Sequence, residues 1–198
     1  MAIQLINQAM IVRFFREIGA VFSGSGTIYL VGETSLVVEG LRRFTDRLEF
    51  CSSVDLVDRN PFNRAVVQVA GQMGIKVSDE FPGEVIPLPD GYAARHRAVA
   101  DAHWPFDLPL VVLHFDPYSV SYRCVARGGE LDYKVVLDYL EHGWILEDEM
   151  IERLELLLPE FSFDTIQQDP AEFRRRMGSL WQMWENRQSH VAVGIAVS

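Results

Sequence analysis

The residues whose types and spacing could do chemistry lie between positions 32 and 49. The run Gly32-Glu33-Thr34-Ser35 follows a short apolar segment, and its glycine lets the chain turn sharply. Small residues in such a turn let phosphate groups approach backbone N–H groups. Further along, a segment alternating polar with apolar residues carries Asp46 and Glu49. Two carboxylates at positions i and i+2 of a strand share a face and can hold metal ions that bridge phosphates, but Asp46 and Glu49 are three positions apart.

Hydrophobic periodicity predicts the elements that position these groups. Apolar spacings of three and four predict an amphipathic helix over 2–19, and a β-rich apolar run bounded by glycines predicts a buried strand over 27–31. A helix is predicted over 34–43, although Gly40 within it weakens this prediction. A second strand over 46–51 is expected to lie beside the first.

Proline and glycine delimit the elements that come next. Asn60-Pro61 is predicted to cap and begin a helix that ends at Gly74. Asp116-Pro117 repeats this signature and starts a helix ended by Gly128-Gly129. Further strands are predicted over the following segments: 75–80, 84–88 and 109–115.

From Leu131 onward the pattern is almost entirely helical, including a tryptophan-bearing helix over 173–186. The apolar segment 191–198 reads either as a terminal strand that docks or as an exposed liability. Strands first and helices afterwards predict an α+β fold. We expect an α/β core over 1–115, a helical region over 116–190 packed on it, and an apolar tail over 191–198.

Composition narrows the class of protein. The chain has 198 residues, of which 48% are hydrophobic and 23% charged, as in ordinary globular domains. Its net charge of -10 disfavours a phosphate backbone as partner, so nucleic acid is not expected. The dense positive runs 42–43 and 174–176 are interpreted as solvated helix faces. No apolar run reaches the ~18 residues of a bilayer span and no positive leader precedes one, so we predict no membrane partner and a cytoplasmic location.

Other residues with chemical potential have structural interpretations. Cys51 and Cys124 sit in apolar contexts without a metal or redox spacing, and we predict buried free thiols. The five histidines show no ligand spacing on a shared helix, so no zinc site is predicted. Asp55 and Asp58 are interpreted as turn and cap residues. Ser35 has no histidine nearby in sequence to activate it.

The segment 28–50 resembles the opening motif of the nucleotidyltransferase superfamily. In that motif a strand, a Gly-Gly or Gly-Ser turn, a helix and a strand bearing Asp-hydrophobic-Asp follow one another. The segment is more similar still to the bacterial uncharacterised-domain and abortive-infection-type members, whose signature runs roughly Leu-Val-Gly-Gly-x-Ala-Leu, then Gly, then Arg-x-Thr-x-Asp-Ile-Asp. Gly32, Gly40, Arg43 and Thr45 match it. The resemblance implies a polymerase-β-type small mixed sheet flanked by helices, with a helical C-terminal part.

The resemblance continues over two later segments. Residues 83–95 are similar to the family's later strand and its Leu-Pro-x-x-Tyr-x-x-Arg tail, with Glu84 where a third carboxylate often lies. Residues 115–128 are similar to its Asp-Pro-Tyr helix, with Cys124 in place of a lysine. Relatives then carry Lys-Asp-x-x-Asp, of which this chain keeps Asp132 and replaces the second aspartate by Val135.

The positions that carry the family's chemistry depart from its pattern. Alignment on Arg43-x-Thr45 puts Arg47 at the first metal-binding aspartate and Glu49 at the second. Glu33 stands where the second small residue of the turn belongs, and a like charge at ~4 Å costs about 1 kcal/mol even in water. We expect Arg47 to form an ion pair with Glu33 or Glu49. Asp46 can reach the site only through a one-residue bulge.

Three functions are therefore weighed. The first is a nucleotidyltransferase-like protein with an eroded active site, acting without a cofactor as a binding or regulatory protein, in the manner of toxin–antitoxin systems, with a protein partner or as a homo-oligomer. The second is an active enzyme that uses Mg²⁺ and a nucleoside triphosphate to modify a protein or RNA. Its catalytic residues would be Asp46, Glu49 and Glu84, with Glu49 and Glu84 on the metal. The third is a structural or oligomeric module. The resemblance implies that the following residues would contact a nucleotide: Gly32, Glu33, Thr34, Ser35, Arg43 and Arg47.

Overall fold

The protein has an α+β fold. A computed structural model describes residues 4–100, 104, 110–161 and 169–195, with the backbone alone for 190–195. This part of the chain holds seven α-helices and a five-stranded mixed sheet. The helices are α1 (Gln8–Val21), α2 (Gly32–Val38), α3 (Leu56–Met73), α4 (Pro117–Arg127), α5 (Glu130–Glu141), α6 (Glu147–Leu157) and α7 (Pro170–Ile195). The strands are β1 (Gly26–Leu30), β2 (Leu48–Val54), β3 (Val77–Asp79), β4 (Arg97–Ala98) and β5 (Val111–His114).

The sheet has the strand order β3-β2-β1-β5-β4. Strand β1 runs antiparallel to β2 and parallel to β5, and β2 runs parallel to β3. In the register, Leu30 of β1 lies opposite Phe50 of β2 and His114 of β5. The carboxyl ends of β1 and β5 and the amino end of β2 therefore meet at one end of the sheet. The turn after β1, the start of β2 and the residues after β5 all lie there.

The chain divides into two compact units. The first comprises residues 1–81 and 93–116 and holds the sheet with α1, α2 and α3. The second comprises residues 82–92 and 117–198 and holds α4 to α7. The short segment 82–92 thus leaves the first unit and returns to it before β4.

The core of the first unit lies on one face of the sheet. Helix α1 begins at the cap Asn7, whose side chain accepts a hydrogen bond of 3.0 Å from the Met10 amide. Four of its apolar side chains are buried, as its periodicity predicts. Phe14 and Phe15 pack on Phe50 of β2, with ring centroids 6.3 and 6.0 Å from it. Burying each of these rings contributes about 1.5–3 kcal/mol, so this aromatic contact holds α1 on the sheet.

The second unit is built around α4, in which every residue from Pro117 to Ala126 is buried. Tyr122 donates a hydrogen bond of 2.6 Å to the carbonyl of Met150 in α6. Tyr118 donates one of 3.0 Å to Glu149, and the Arg153 guanidinium lies 4.8 Å from the Tyr118 ring. The hydroxyl groups of these two tyrosines thus connect the buried helix α4 to α6.

Several predicted boundaries are corrected. Helix α3 begins four residues before Asn60, and Pro61 lies within it. The helix predicted over 34–43 ends at Val38, because Gly40 adopts a left-handed φ of 72° that reverses the chain. The second strand begins at Leu48 rather than at 46. The strand predicted over 84–88 is absent; a 3₁₀ turn occupies Pro82–Glu84, in a segment whose prolines cannot donate to a ladder.

Other predicted elements are confirmed in narrower or wider form. β3 and β5 occupy the centres of the segments predicted as 75–80 and 109–115, and residue 109 lies outside the described residues. The helix predicted over 173–186 extends to Ile195, so residues 191–195 are helical and do not form the terminal strand considered above. Residues 2–3 and 196–198 of the predicted segments lie outside the described part. Within that part, no helix combines the length and hydropathy of a bilayer span.

Candidate functional site

The turn after β1 brings the predicted glycine and one predicted carboxylate together. Gly32 has a φ of 58°, a left-handed conformation that carries the chain from β1 directly into α2. A Cβ atom at this position would collide with Oε2 of Glu49, so the glutamate side chain lies against the turn. The Glu49 amide donates a hydrogen bond of 2.7 Å to Oγ1 of Thr34, and its carbonyl accepts one of 3.2 Å from Val31. Glu49 is only 8% exposed, so the start of β2 is fixed tightly to the turn.

The carboxylate of Glu33 is held by two groups of the same chain. Nη1 of Arg42 donates to Oε1, and Oγ1 of Thr45 lies 3.0 Å from Oε2. The side chains of Glu33 and Arg42 are each 17% exposed. Both carboxylate oxygens are thus engaged, and a cation occupies the side of the turn that Glu33 faces.

Arg47 does not pair with the predicted partners. Its Nε donates to Oδ1 of Asp46 at 3.1 Å, and its Nη2 to Oδ2 at 3.4 Å. This hydrogen bond holds the pKa of Asp46 below its ordinary 3.8, and it also raises the pKa of Arg47, with smaller contributions from the charges of Glu49 and Glu33. The prediction that Arg47 bridges to Glu33 or Glu49 is therefore wrong. Arg42 instead pairs with Glu33, which was the partner expected for Arg47.

The bulge that would bring Asp46 to the site is not formed, because Asp46 lies before β2. Asp46 and Arg47 lie in a bend before the strand, so the alternation of faces within a strand does not apply to them. Thr45 pairs instead with Ile6, through backbone hydrogen bonds of 2.8 and 3.0 Å. Asp46 is directed to Arg47 by this bend.

The remaining predicted nucleotide and metal residues have different local settings. Arg43 is exposed and lies 5.7 Å from the ring centroid of Phe44. The interpretation of residues 42–43 as a helix face is wrong, because α2 ends before them. Ser35 is 1% exposed, and its hydroxyl has no hydrogen-bond partner among the described residues. Glu84 lies on the 3₁₀ turn of the second unit, whereas Glu49 lies in the first.

A buried pair joins the end of α2 to β5. Nε2 of His114 lies 2.6 Å from Oε1 of Glu39, and the Ala100 amide donates to the same oxygen at 2.8 Å. The ionised carboxylate of Glu39 has no proton to donate, so the proton of this hydrogen bond is on Nε2 of His114. Burial opposes ionisation of Glu39, but the hydrogen bonds from His114 and Ala100 and the charge of Arg97 outweigh it and lower the pKa of Glu39. His114 is 1% exposed, so its side of the pair is buried in the interior.

A second buried pair joins two motifs that the sequence presents separately. Arg95 donates through Nε and Nη2 to the two oxygens of Asp116, at 2.9 and 3.0 Å. Asp116 is fully buried, and its amide donates to Nδ1 of His96 at 3.1 Å. Nδ1 is therefore unprotonated. Burial lowers the pKa of His96, and the charge of Arg95 lowers it further against the opposing effect of Asp116, so the ring is neutral at pH 7.

The chemistry of the other predicted residues is structural. Cys51 and Cys124 are buried free thiols, as predicted. Asp55 occupies the N-cap position of α3 without a side-chain cap bond. Asp132 accepts a hydrogen bond of 3.3 Å from the Gly129 amide at the start of α5 and lies 3.3 Å from Arg127. Among the described residues, no three His, Cys, Asp or Glu side chains are grouped to hold a metal ion.

Sequence reasoning missed Arg42, Glu39, His114 and the Arg95–Asp116 pair as partners. The signal available for the last pair was that both residues belong to segments of the family resemblance. Comparison of the chain with protein-family models, with curated proteins and with solved structures gave no match. The proposal of a function therefore combines this geometry with the resemblance of segment 28–50.

Proposed function

We propose that this protein is a nucleotidyltransferase-like binding or regulatory protein that does not transfer nucleotides. The observation that carries the proposal is the state of Glu33. Its carboxylate stands in the turn between β1 and α2, where the resemblance expects a small residue against a triphosphate, and Arg42 and Thr45 engage both of its oxygens. The turn is thus filled by an internal ion pair.

The arrangement of metal positions supports the same proposal. Two-metal phosphoryl chemistry needs carboxylates that converge on the ions. At the aligned positions stand Arg47, a permanent cation bound to Asp46, and Glu49, whose side chain lies against Gly32. An arginine side chain cannot ligate a metal ion, so the first aligned position supplies no carboxylate.

The test is a transfer assay on the intact chain. The protein is incubated with Mg²⁺ or Mn²⁺ and each nucleoside triphosphate, alone and with candidate protein or RNA acceptors, and products are read by intact mass. We expect no nucleotidyl adduct on any component. Transfer by the wild type that disappears in Glu49→Ala and persists in the surface control Glu17→Ala would overturn the proposal and favour the active enzyme.

The structural or oligomeric alternative is tested by light scattering. It relied on the apolar segment 191–198 and the tryptophan-bearing helix. A chain truncated after Asn186 should remain the same oligomer as the full chain if the binding function resides elsewhere. A smaller species would favour the oligomeric module.

A further inference from the structure

The first unit presents a groove beside the edge of β3 with which no other strand of the described residues pairs. The groove, of about 280 Å³, lies between α3 and the strands β2 and β3. Phe50 and Phe62 form its floor and are 3% and 2% exposed. We call it the β3 groove; its lining is Phe50, Phe62, Asn63, Val66, Val67, Ala70, Val77 and Asp79.

The backbone of β3 offers hydrogen-bonding groups along the side of this groove. Strand β3 ends the sheet order, with β2 as its neighbour. Lys76 accepts a hydrogen bond of 2.9 Å from the Leu48 amide, and Glu80 donates one of 2.9 Å to Phe50. Since backbone groups of alternate residues point to opposite sides of a strand, those of Val77 and Asp79 point away from β2. They form an edge on which a further strand could pair.

From these features we propose that the β3 groove and its edge bind an extended peptide segment of a partner protein. The segment pairs with the outward backbone groups of Val77 and Asp79, and it places one large apolar side chain in the groove. A groove of about 280 Å³ has room for one large apolar side chain, and strand addition with a side chain in a neighbouring pocket is a recurring mode of peptide recognition.

Charge specifies the partner further. Asp79 is exposed at the rim of the groove, and no ion pair reaches it from the described residues. Glu80 follows it. A lysine or arginine of the partner, two residues from the apolar side chain and so on the same face of its strand, would lie beside Asp79. At the other rim, Val67 of α3 is 73% exposed and supplies further apolar surface.

This binding site goes beyond the proposed function. Phe50 and Glu49 are successive residues of β2, so their side chains lie on opposite faces of the sheet. The β3 groove is on the Phe50 face, and the turn with Glu33 and Gly32 is on the other. A nucleotide assay therefore cannot decide the peptide proposal, and a peptide-binding assay cannot decide the proposed function.

The probe is a set of nine-residue threonine-rich peptides, each with Leu, Ile, Val or Phe at one position and Lys two residues further on. Each is added at millimolar concentration to the ¹⁵N-labelled full chain, and amide shifts are recorded. We expect shifts at Val77 and Asp79. N-methylation of the alternate peptide residues whose amides face β3 should weaken binding roughly tenfold, because about two backbone hydrogen bonds are lost. N-methylation of the other alternate residues, whose amides face away, should leave binding unchanged.

Protein variants locate the site. Ala70→Leu fills the groove and should abolish binding, whereas Gln72→Leu, an exposed position of the same helix outside the groove, should not. Asp79→Asn should remove the preference for Lys over Thr in the peptide. Thermal unfolding of each variant verifies that it is folded.

Three results would overturn the proposal. No shift at Val77 or Asp79 with any peptide would show that the edge is not a strand acceptor. Phenethylamine binding in the groove, together with peptides that are insensitive to N-methylation in both parities, would assign it to a small molecule. A concentration-dependent dimer that Val77→Pro dissociates would assign the edge to a second copy of the chain.

Discussion

Glu39 is the residue whose ionisation has the clearest consequence for stability. Its pKa in the folded protein is lowered from 4.5, because the bonds to His114 and Ala100 favour the carboxylate over the cost of burial. A lowered folded pKa means that the unfolded chain binds the proton more tightly. The carboxylate therefore contributes fully above about pH 4.5, and its contribution is lost as the pH falls through the lower folded value.

We predict that Glu39→Gln lowers the free energy of unfolding by about 1–2 kcal/mol at pH 7, and by progressively less below pH 4.5. Urea unfolding at several pH values measures the difference. The matched control is Glu17→Gln in α1, whose side chain is 47% exposed in an ion pair with Arg13, and we expect a change below about 0.5 kcal/mol. A loss for Glu39→Gln that does not shrink in acid would contradict this account.

The Arg95–Asp116 pair predicts a larger effect. Arg95→Ala leaves a fully buried carboxylate without its bidentate partner, so we expect a loss of about 3–5 kcal/mol in the free energy of unfolding. Arg95→Lys keeps the charge but not the fork, and the loss should be smaller yet measurable. Urea unfolding of the two variants provides the comparison. Equal stability of Arg95→Ala and wild type would show that the pair contributes nothing.

At the scale of elements, the passage from β1 into α2 depends on one glycine and its contact. Gly32 and Gly40 both have positive φ, but a Cβ at Gly32 meets Oε2 of Glu49, whereas a Cβ at Gly40 meets no atom within 4 Å. Gly40→Ala should therefore cost about 1 kcal/mol for its backbone conformation alone. Gly32→Ala should cost more, by about 1–3 kcal/mol of steric strain.

The double variant Gly32→Ala/Glu49→Ala separates the two costs. If the clash is with the glutamate, the added penalty of Gly32→Ala in the Glu49→Ala background should fall to that of Gly40→Ala. Chemical denaturation of the four chains in the cycle measures this. An unchanged penalty would mean that Glu49 is not the obstacle.

The elements around the site were predictable where the signal was local. Periodicity and glycine placement predicted the succession of strand, turn, helix and strand from 27 to 51, including the pairing of β1 with β2. The start of β2 was not predictable, because Thr45 pairs with Ile6, a residue far away in sequence. Spacing alone could not place Asp46 and Arg47 in a bend.

The partners of charged residues were less predictable than the elements. Glu33 pairs with Arg42 rather than Arg47 because the chain turns back after Val38, and that path depends on Gly40 and on tertiary contacts. His114 meets Glu39 across 75 positions of sequence. Residue types showed that charges would cluster near the turn, but only the three-dimensional path decides which cation neutralises which carboxylate.

At the scale of the whole molecule, the structure combines an α+β unit with a helical unit and gives each its own interior. The chain has a net charge of -10, which weakens any encounter with free nucleotides or nucleic acid. Within the first unit, the end of the sheet where a nucleotide would be expected is occupied by internal ion pairs. The proposal of a binding protein follows from that occupation.

Calorimetric titration of the intact chain with Mg²⁺ and ATP tests the central claim most directly, because nucleotide binding must precede any transfer. At protein concentrations of hundreds of micromolar, binding tighter than about 1 mM would be visible. The account predicts no saturable heat for wild type or for Glu49→Ala. Saturable magnesium-dependent binding by the wild type that Glu49→Ala abolishes would contradict it, and would establish that the turn between β1 and α2 still accepts a nucleotide.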